Sequence, residues 1–274
     1  MSLKWVDVLE IAIQLAESKP EVDPRYVNFV DLHRWVLALP EFSDDPSRGG
    51  EKVLEAIVTH ETAFFRDKHP YETLRHTILT RLAQRWQATR ETLGHRPTPI
   101  RIWCAACSTG QEPWSVAMAI HEWIPLSGVS GLSLGDFAIL ATDLSSKVLD
   151  HARQGIYTEA DLARGMTPGQ ISRFLNRQPG AKPTFQMKAE LRSMVEFRKA
   201  NLREGFKSLG LFDLILCRNM LMYLGEASRC KVLDNLANVE DLSWIGPCRQ
   251  FPCKSCQGLR CSFASACSKT SSLL

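Results

Sequence analysis

Apolar residues recur at every third or fourth position through the first 95 residues, as they do along one face of an amphipathic helix. Four stretches have this spacing: LEIAIQLAE, YVNFVDLHRWVLAL, KVLEAIVTHETAFF and YETLRHTILTRLAQRWQAT. Pro20, Pro24, Pro40 and Pro46 mark the breaks between them. The pattern therefore predicts a helical N-terminal domain over residues 1–95.

From Pro99 onward the pattern changes to short apolar runs that alternate with helical stretches. The strand-like runs are IRIWCAA, FAILATD, MVEF and FDLILC. Strands that alternate with helices are typical of an α/β fold with a parallel sheet covered on both faces. The alternation is interrupted between Ile156 and Arg198, where we predict a small inserted subdomain with a short helix and a few antiparallel strands.

Composition narrows the class of protein without naming a function. The 274 residues are 45% hydrophobic and 23% charged, which is ordinary for a globular protein, and the net charge of +3 gives no argument for binding nucleic acid. No apolar run approaches the roughly 20 residues of a membrane span. The N-terminus mixes Asp7 and Glu10 into its apolar positions, unlike a signal peptide. We therefore expect a cytoplasmic protein that does not insert into membranes.

The stretch CSTGQEP joins the first predicted strand to the helix that follows it. In open parallel sheets, ligands bind outside the carboxyl ends of the strands. Gly110 permits close approach to the backbone, whereas Glu112 would repel a pyrophosphate and suits a positively charged ligand. The next strand ends in Asp143, whose carboxylate can accept both hydroxyls of a ribose. The two carboxylates indicate an adenosine joined to a cation, as in S-adenosylmethionine (SAM), which carries an ammonium and a sulfonium.

Two other interpretations of these residues remain open at this point. A strand, a glycine turn and a helix occur together in many α/β proteins, and Asp143 can cap the helix that starts at Ser145. Cys104 and Cys107 form a CxxC pair before a helix, which is typical of redox proteins. Against the redox interpretation, Cys104 lies within the predicted strand, away from the helix terminus that activates such a pair.

The sequence AACSTGQEPWSVAM resembles the cofactor loop of the CheR family of chemotaxis receptor methyltransferases. Four further stretches resemble the family in the right order, over about residues 50 to 238: THETAFFRD, ATDLSSKVLDHARQGIY, FRKANL and FDLILCRNMLMYL. The resemblance implies a helical N-terminal domain (1–95), followed by a Rossmann-like SAM-dependent methyltransferase domain (96–239) with a small inserted antiparallel β-subdomain (157–198). It also implies SAM as cofactor and S-adenosylhomocysteine (SAH) as product.

The resemblance assigns roles to individual residues. Arg66 has a forked guanidinium that clamps the methionine carboxylate of the cofactor, Glu112 pairs with its ammonium, and Asp143 holds its ribose. Asn201 and the backbone of Leu202 contact the adenine. The predicted cofactor site comprises His60, Thr62, Arg66, Gly110, Glu112, Asp143, Asn201, Leu202, Arg218 and Asn219.

Arg218, Asn219 and Tyr223 have predicted positioning roles in catalysis, with Tyr223 orienting the acceptor carboxylate. A glutamate is mostly ionised at pH 7 and is already a nucleophile, so we predict neither a general base nor a metal. The predicted function is methylation of glutamate side chains on the cytoplasmic helices of chemoreceptors, by a monomer. The alternatives are a SAM-dependent methyltransferase for another acceptor and a non-catalytic module that binds SAM or SAH.

Three features depart from the family's pattern. His60 stands where the family usually has asparagine. Residues 1–52 carry six Lys and Arg against ten Asp and Glu, although the family's N-terminal domain offers a basic face to receptors. Basic residues recur instead through the last predicted helix before the first strand, which makes that face a candidate docking surface; they are Lys68, Arg75, Arg81, Arg85 and Arg90.

The tail, residues 240–274, is the third departure, because it shows no strand pattern and holds five of the nine cysteines. Three interpretations remain open: a frameshifted or aberrant end, a zinc-binding appendage that uses Cys253 and Cys256, and a disordered partner-binding segment. If the sheet stops at FDLILC, that strand exposes an apolar edge that invites pairing with another chain. We therefore expect poor solubility or marginal stability.

Overall fold

The computed structural model describes residues 3–19, 22, 27–58, 62–180, 182–202, 204, 206, 209–221, 226–237 and 244–245. The chain divides into two compact units, Met1–Glu61 and Thr62–Leu274. The predicted domain boundary at residue 95 is therefore not where the structure divides. The physical reason is packing: Leu82 and Trp86, on the last helix of the predicted N-terminal domain, belong to the same hydrophobic core as Ile102 of the first long strand.

Among its described residues, the first unit contains three α-helices, α1 (Val8–Ser18), α2 (Phe29–Leu37) and α3 (Glu51–Val58), and a short 3₁₀ turn, Pro46–Arg48. Trp5 is buried and anchors the unit, because its ring stacks on His33 at 5.1 Å and its Nε1 donates to the carbonyl of Asp45 at 2.8 Å. Gly49 lies directly against this ring, so a larger residue at that position would displace Trp5. A single buried indole thus organises a unit that is too small for a large core.

Among its described residues, the second unit contains eight α-helices and eight strands, besides two short 3₁₀ turns and a π-helical turn, Leu74–Ile78, that leads into the long helix before the first strand. The helices are α4 (His69–Thr73), α5 (Leu79–Leu93), α6 (Gln111–Trp123), α7 (Ser146–Gln154), α8 (Glu159–Ala163), α9 (Pro168–Phe174), α10 (Ala189–Arg192) and α11 (Glu226–Ala237). The strands are β1 (Ile100–Ala105), β2 (Phe137–Asp143), β3 (Ile156–Thr158), β4 (Leu175–Gln178), β5 (Thr184–Met187), β6 (Val195–Lys199), β7 (Leu214–Cys217) and β8 (Trp244–Ile245).

Five strands form a parallel sheet in the order β6-β2-β1-β7-β8. From β1 the chain moves outward to β2 and then β6, and afterwards crosses back to β7 and β8 on the other side. Alternate residues of β1 pack into different cores, with Ile102 and Cys104 in one and Trp103 and Ala105 in the other. Both faces of the sheet are therefore covered, which confirms the predicted α/β class.

The strand β8 contradicts the prediction of a sheet that stops at FDLILC. Trp244 and Ile245 pair in parallel with Ile215 and Leu216, so the outer edge of β7 is covered there. Two residues are too few to produce a recognisable alternation, which explains why the pattern missed this strand. The remaining predictions for the tail, including a zinc site at Cys253 and Cys256, lie outside the described residues.

A second, antiparallel sheet of three strands has the order β3-β5-β4. It lies in the interruption predicted between Ile156 and Arg198, and the helices α8 and α9 belong to the same insertion. Both helices begin with a capping box, in which Thr158 and Thr167 exchange hydrogen bonds with the residue three positions later. The predicted inserted antiparallel subdomain is confirmed.

Candidate functional site

The strand order reverses between β1 and β7, and we call the carboxyl edge of the parallel sheet at this point the crevice. Ligands of open α/β sheets bind at such a switch point. Three segments lie at this edge: the turn after β1, the residues that follow β7, and the end of β2. The turn after β1 runs from Ala106 to Gly110 and leads directly into α6.

The turn after β1 has an unusual backbone that brings the chain close to neighbouring elements. Ala106, Ser108 and Gly110 all have positive φ, at 60°, 50° and 95°. A methyl group on Gly110 would lie 2.9 Å from Cβ of Ala152 and 3.0 Å from the hydroxyl of Tyr157. The turn therefore requires glycine at position 110, both for its conformation and for space.

Glu112 lies in the first turn of α6 and forms an ion pair with Arg218, which immediately follows β7. Nη1 of Arg218 donates to Oε2 of Glu112 at 3.1 Å, and both side chains are largely buried. Burial raises the pKa of the Glu112 carboxyl, and the charge and hydrogen bond of Arg218 oppose that rise. Arg66 also lies near enough to favour the ionised form. The crevice thus holds a largely buried carboxylate that is paired with Arg218 and feels the charge of Arg66.

Arg218 also reaches the segment before α4, residues 62–68, which we call the Arg66 loop. Its Nη2 donates to the carbonyl oxygen of Arg66 at 3.0 Å and to Oδ2 of Asp67 at 2.7 Å. Burial lowers the pKa of the Arg218 guanidinium, but Glu112, Tyr71 and Asp67 together raise it above its ordinary value. Arg218 therefore stays charged and links β7, α6 and the Arg66 loop.

Asp143 ends β2 and is held by two backbone amides. Its Oδ2 accepts from the N–H of Ser108 at 2.9 Å, and its Oδ1 accepts from the N–H of Ser145 at 3.1 Å. Burial raises the pKa of this carboxyl, and the amides of Ser145, Ser108 and Leu144 oppose the rise. The bond to Ser145 closes an Asx turn just before α7, whose N-cap is Ser145 itself, so Asp143 does not cap this helix directly. The bond to Ser108 ties Asp143 to the turn after β1, so the residue serves both elements.

Asn201 and Leu202 follow β6, next to the end of β2. The N–H of Ala200 donates to the carbonyl of Asp143 at 3.0 Å, which brings the two strand ends together. Nδ2 of Asn201 donates to Glu204 at 3.1 Å, and Leu202 is buried. Both residues therefore lie on the same sheet edge as Asp143.

Several predicted site residues have little or no described geometry. His60 and Tyr223 lie outside the described residues. Thr62 is partly buried at the start of the Arg66 loop. Asn219 follows Arg218 with a left-handed backbone, at a φ of 56°. The roles predicted for these four residues stay predictions.

The redox interpretation of Cys104 and Cys107 does not fit this geometry. Both cysteines are buried and free, and burial raises the pKa of each thiol well above its ordinary value. A reactive pair needs at least one accessible thiol of lowered pKa. These residues instead behave as small apolar side chains of the core.

The sequence pattern missed two residues that shape the site. Ser115 accepts a hydrogen bond from the N–H of Phe65, and Asp67 accepts one from Arg218. Ser115 looks like any small residue of a buried helix, and Asp67 looks like a surface partner of its neighbour Arg66. No periodicity marks either residue, because both act on backbone or side chains that are distant in sequence.

Several basic side chains of the predicted docking face form contacts with other groups of the same unit. Arg75 pairs with Glu122 at 2.6 Å, Arg85 lies 3.5 Å from Asp213, and Arg90 donates to the carbonyl of Ser130 at 2.9 Å. Lys68 and Arg81 are exposed. The recurrence of basic residues in the sequence therefore overstates the free positive charge on this face.

The donor set of the crevice fits SAM. A carboxylate in a buried position needs positive charge nearby, and the ammonium of SAM adds to the cations already around Glu112. The oxygens of Asp143 retain acceptor capacity beyond their backbone bonds, which suits the hydroxyls of a ribose.

Among the described residues, no cluster of three or more His, Cys, Asp or Glu could hold a metal ion. Within that same part of the chain, no helix is long and apolar enough to cross a membrane.

Comparison with known proteins finds different matches for the two units. Residues 3–60 match a family described as iron-sulphur cluster assembly. An uncharacterized protein of Pseudomonas aeruginosa is 88% identical over 57 residues, which are 21% of this chain and 86% of that protein. This match gives no support to the expectation that the N-terminal helices form the N-terminal domain of a receptor methyltransferase, which stays a prediction. The match agrees with the acidic balance of residues 1–52, which departs from that domain's pattern.

The second unit has relatives among chemotaxis proteins. Chemotaxis protein methyltransferase Cher2 of Pseudomonas putida is 37% identical over 68% of this chain and 64% of its own length. Chemotaxis protein methyltransferase 1 of Pseudomonas aeruginosa is 39% identical over the same shares. The chain thus spans just under two thirds of the length of these relatives. Among solved structures, the glycopeptide N-methyltransferase MtfA complexed with SAM is 13% identical, with a TM-score of 0.31 over 57% of this chain and 49% of that one.

The family model with the description "CheR methyltransferase, SAM binding domain" matches residues 60–241. The match begins just before the Arg66 loop and includes the whole carboxyl edge of the parallel sheet. SAM, the cofactor predicted from Glu112 and Asp143, is the ligand that this description names. The chain belongs to the CheR methyltransferase family.

Proposed function

We propose that this protein transfers a methyl group from SAM to glutamate side chains of chemoreceptors and forms glutamyl methyl esters. The observation that supports this proposal best is the buried Glu112–Arg218 pair at the switch point of the sheet, in a chain of the CheR family. The curated relatives are chemotaxis protein methyltransferases by name, and the acceptor class follows from that resemblance.

In this proposal, different residues of the crevice bind different parts of SAM. Glu112 pairs with the ammonium, Arg66 with the carboxylate, Asp143 with the ribose hydroxyls, and Asn201 with the adenine edge. When bound, SAM supplies an electrophilic methyl group on a sulfonium. Because each end of the ligand has a charged or polar partner, the crevice fixes the direction in which the methyl group points.

The chain's own contribution to the reaction is orientation and exclusion of water. An acceptor glutamate is already ionised at neutral pH, so no residue of the crevice has to remove a proton from it. Arg218 and Asn219 line the approach to the crevice from β7, and a guanidinium there favours an incoming carboxylate. Holding the two reactants in line is worth a large rate factor without any acid–base chemistry.

A methyl-transfer assay tests the proposal. The purified chain is incubated with SAM that carries a tritiated methyl group and with membranes rich in chemoreceptors. We expect label on the receptor that mild base releases as methanol, and a matched Glu112→Gln variant should transfer much less. Label that survives base would mean an amine or thiol acceptor and would favour the alternative of another substrate. Binding of SAM without transfer to any receptor would favour the non-catalytic module.

We also propose that the first unit takes part in iron–sulphur cluster assembly, because residues 3–60 match that family and a relative at 88% identity covers most of them. The test adds the full chain to a reaction in which a cluster forms on a scaffold protein from ferrous iron and a sulfur donor. We expect a changed rate of cluster formation, followed by visible absorption. A Trp5→Ala chain, which loses the ring that anchors this unit, serves as the control and should have no effect. An unchanged rate with the intact chain would contradict the proposal.

A further inference from the structure

The Arg66 loop contains three residues in backbone conformations that are unfavourable for their residue types. Phe65, Asp67 and Lys68 all have positive φ, at 50°, 67° and 45°. Residues other than glycine avoid this region, and bulky residues such as Phe avoid it most. Such a conformation persists only where surrounding groups impose it, and it is commonly found at binding sites. The loop therefore depends on contacts from other elements.

The first of these contacts comes from α6, the helix that carries Glu112. The hydroxyl of Ser115 accepts a hydrogen bond from the N–H of Phe65 at 2.9 Å and donates to the carbonyl of Gln111 at 2.6 Å. Ser115 is fully buried, so no solvent molecule can replace either bond. This one hydroxyl thus joins the Arg66 loop to the first turn of α6.

The second contact comes through Arg218. The same nitrogen of Arg218 that donates to the carbonyl of Arg66 also donates to the carboxylate of Asp67. Asp67 therefore helps to hold the guanidinium against the loop, while the other nitrogen of Arg218 holds Glu112. Ser115 accepts from the N–H of Phe65, the residue before Arg66, and Asp67 holds the guanidinium that donates to the carbonyl of Arg66. The backbone is therefore held on both the N-terminal and the C-terminal side of Arg66.

We propose that Ser115 and Asp67 are positioning residues, which keep Arg66 placed beside Glu112 so that the two together grip the amino-acid end of SAM. This inference rests on the proposed function, because it takes the carboxylate and ammonium of SAM as the groups that Arg66 and Glu112 hold. Neither Ser115 nor Asp67 needs to touch the ligand. Their effect reaches only the amino-acid end, since the ribose is held from β2 by Asp143.

Two ligands that differ only at that end test the proposal. SAH has the carboxylate and ammonium, whereas 5′-methylthioadenosine has the same adenosine and thioether without them. We expect Ser115→Ala and Asp67→Ala each to weaken SAH about tenfold, the size expected when a buried donor or a charged group loses its partner. The same variants should change the affinity for 5′-methylthioadenosine by less than about twofold. Calorimetry on the full chain, with displacement for the weaker ligand, measures both.

Ser127→Ala is the matched control. The hydroxyl of Ser127 also accepts from a backbone N–H, that of Val129 at 3.2 Å, and donates to a carbonyl, that of Ile124 at 2.7 Å. It makes this pair of bonds in the turn after α6 and should leave both affinities unchanged. If Ser115→Ala does not fold by circular dichroism, Asp67→Ala decides alone, because 57% of that side chain is exposed.

The outcomes separate this inference from the function on which it rests. If both ligands weaken equally in the variants, Ser115 and Asp67 are only structural and the inference is overturned. If neither ligand weakens, it is overturned as well, while the proposed function stands. If the unmodified chain fails to bind SAH, both the inference and the proposed function fail.

Discussion

Glu112 is the residue on which the chemistry of the crevice depends most. Its side chain is largely buried and contacts Arg218, and it lies at the start of α6, where the free backbone N–H groups favour negative charge. A carboxylate in that environment is costly to ionise unless cations surround it. The ammonium of a bound ligand supplies one more cation, so ligand binding and ionisation of Glu112 support each other.

The substitution Glu112→Gln tests this directly. The amide has nearly the same size but no charge, and we expect it to weaken SAM and SAH by about 1.5–3 kcal/mol, the range for a hydrogen bond to a charged group. Calorimetry measures the change, and Glu122→Gln, on the last turn of the same helix, is the control. Unchanged affinity in folded Glu112→Gln protein would mean that the ammonium is held elsewhere.

The pH dependence of binding follows from the same residue. Burial raises the pKa of Glu112 above its ordinary value, so the carboxyl gains its proton at a higher pH than an exposed glutamate would. As the pH falls through that raised pKa, the negative charge is lost and the affinity for SAH should fall. Above it, the affinity should level off. The affinity for SAH is measured over the pH range in which circular dichroism shows folded protein. It should depend less on pH in Glu112→Gln than in the unmodified chain. Equal slopes would assign the dependence to another group, such as Asp143.

At the scale of elements, the long apolar strands and their helices could be predicted from periodicity, because β1, β2 and β7 are buried on both faces. The glutamate and aspartate after β1 and β2 could also be located, since strand ends meet at one edge of a parallel sheet. The strand β8 could not, because it has two residues. The anchoring of the Arg66 loop could not be predicted either. Ser115 lies 50 positions after the loop residue that it binds, and Arg218 lies 152 positions after its own partner in the loop.

The turn between β1 and α6 is the element whose geometry is most restricted. In Gly110→Ala the methyl group would be forced against Ala152 and Tyr157 at a φ of 95°, so we expect a loss of more than about 1 kcal/mol of stability and weaker SAH binding. Gly128→Ala is the control, because that glycine also has a positive φ, 68°, but nothing lies near its Cβ position. Thermal unfolding of both variants separates crowding from backbone strain. Equal melting temperatures would show that close approach at Gly110 does not matter.

At the scale of the whole molecule, the matches to two different family models meet at about residue 60. The family boundaries, at residue 60 in both matches, coincide with the division of the structure between Glu61 and Thr62. Sequence periodicity could not find this boundary, because helices precede and follow it and all of them are amphipathic. Only the acidic balance of the first 52 residues signalled that this part of the chain differs from the rest.

The boundary at residue 61 leads to a prediction about which piece of the chain binds SAH. Every described residue that we propose to contact SAM lies in the second unit, so a chain of residues 59–274 should bind SAH with the affinity of the full chain. Residues 1–61 alone should not bind it. Calorimetry on the two pieces and on the full chain makes the comparison. A large loss of affinity in folded 59–274 would mean that the first unit contributes to the crevice.

The ion pair between Glu112 and Arg218 joins residues that are 106 positions apart in the chain. At the usual pace of the ribosome, roughly 5 to 20 seconds separate the synthesis of its two members. During that interval β1 and α6 lack the strand β7 that pairs with β1, and Glu112 has Arg66 nearby but not yet Arg218. The first unit, by contrast, is synthesised before any of these residues. We therefore expect the crevice to take its final form only after β7 and Arg218 have been synthesised.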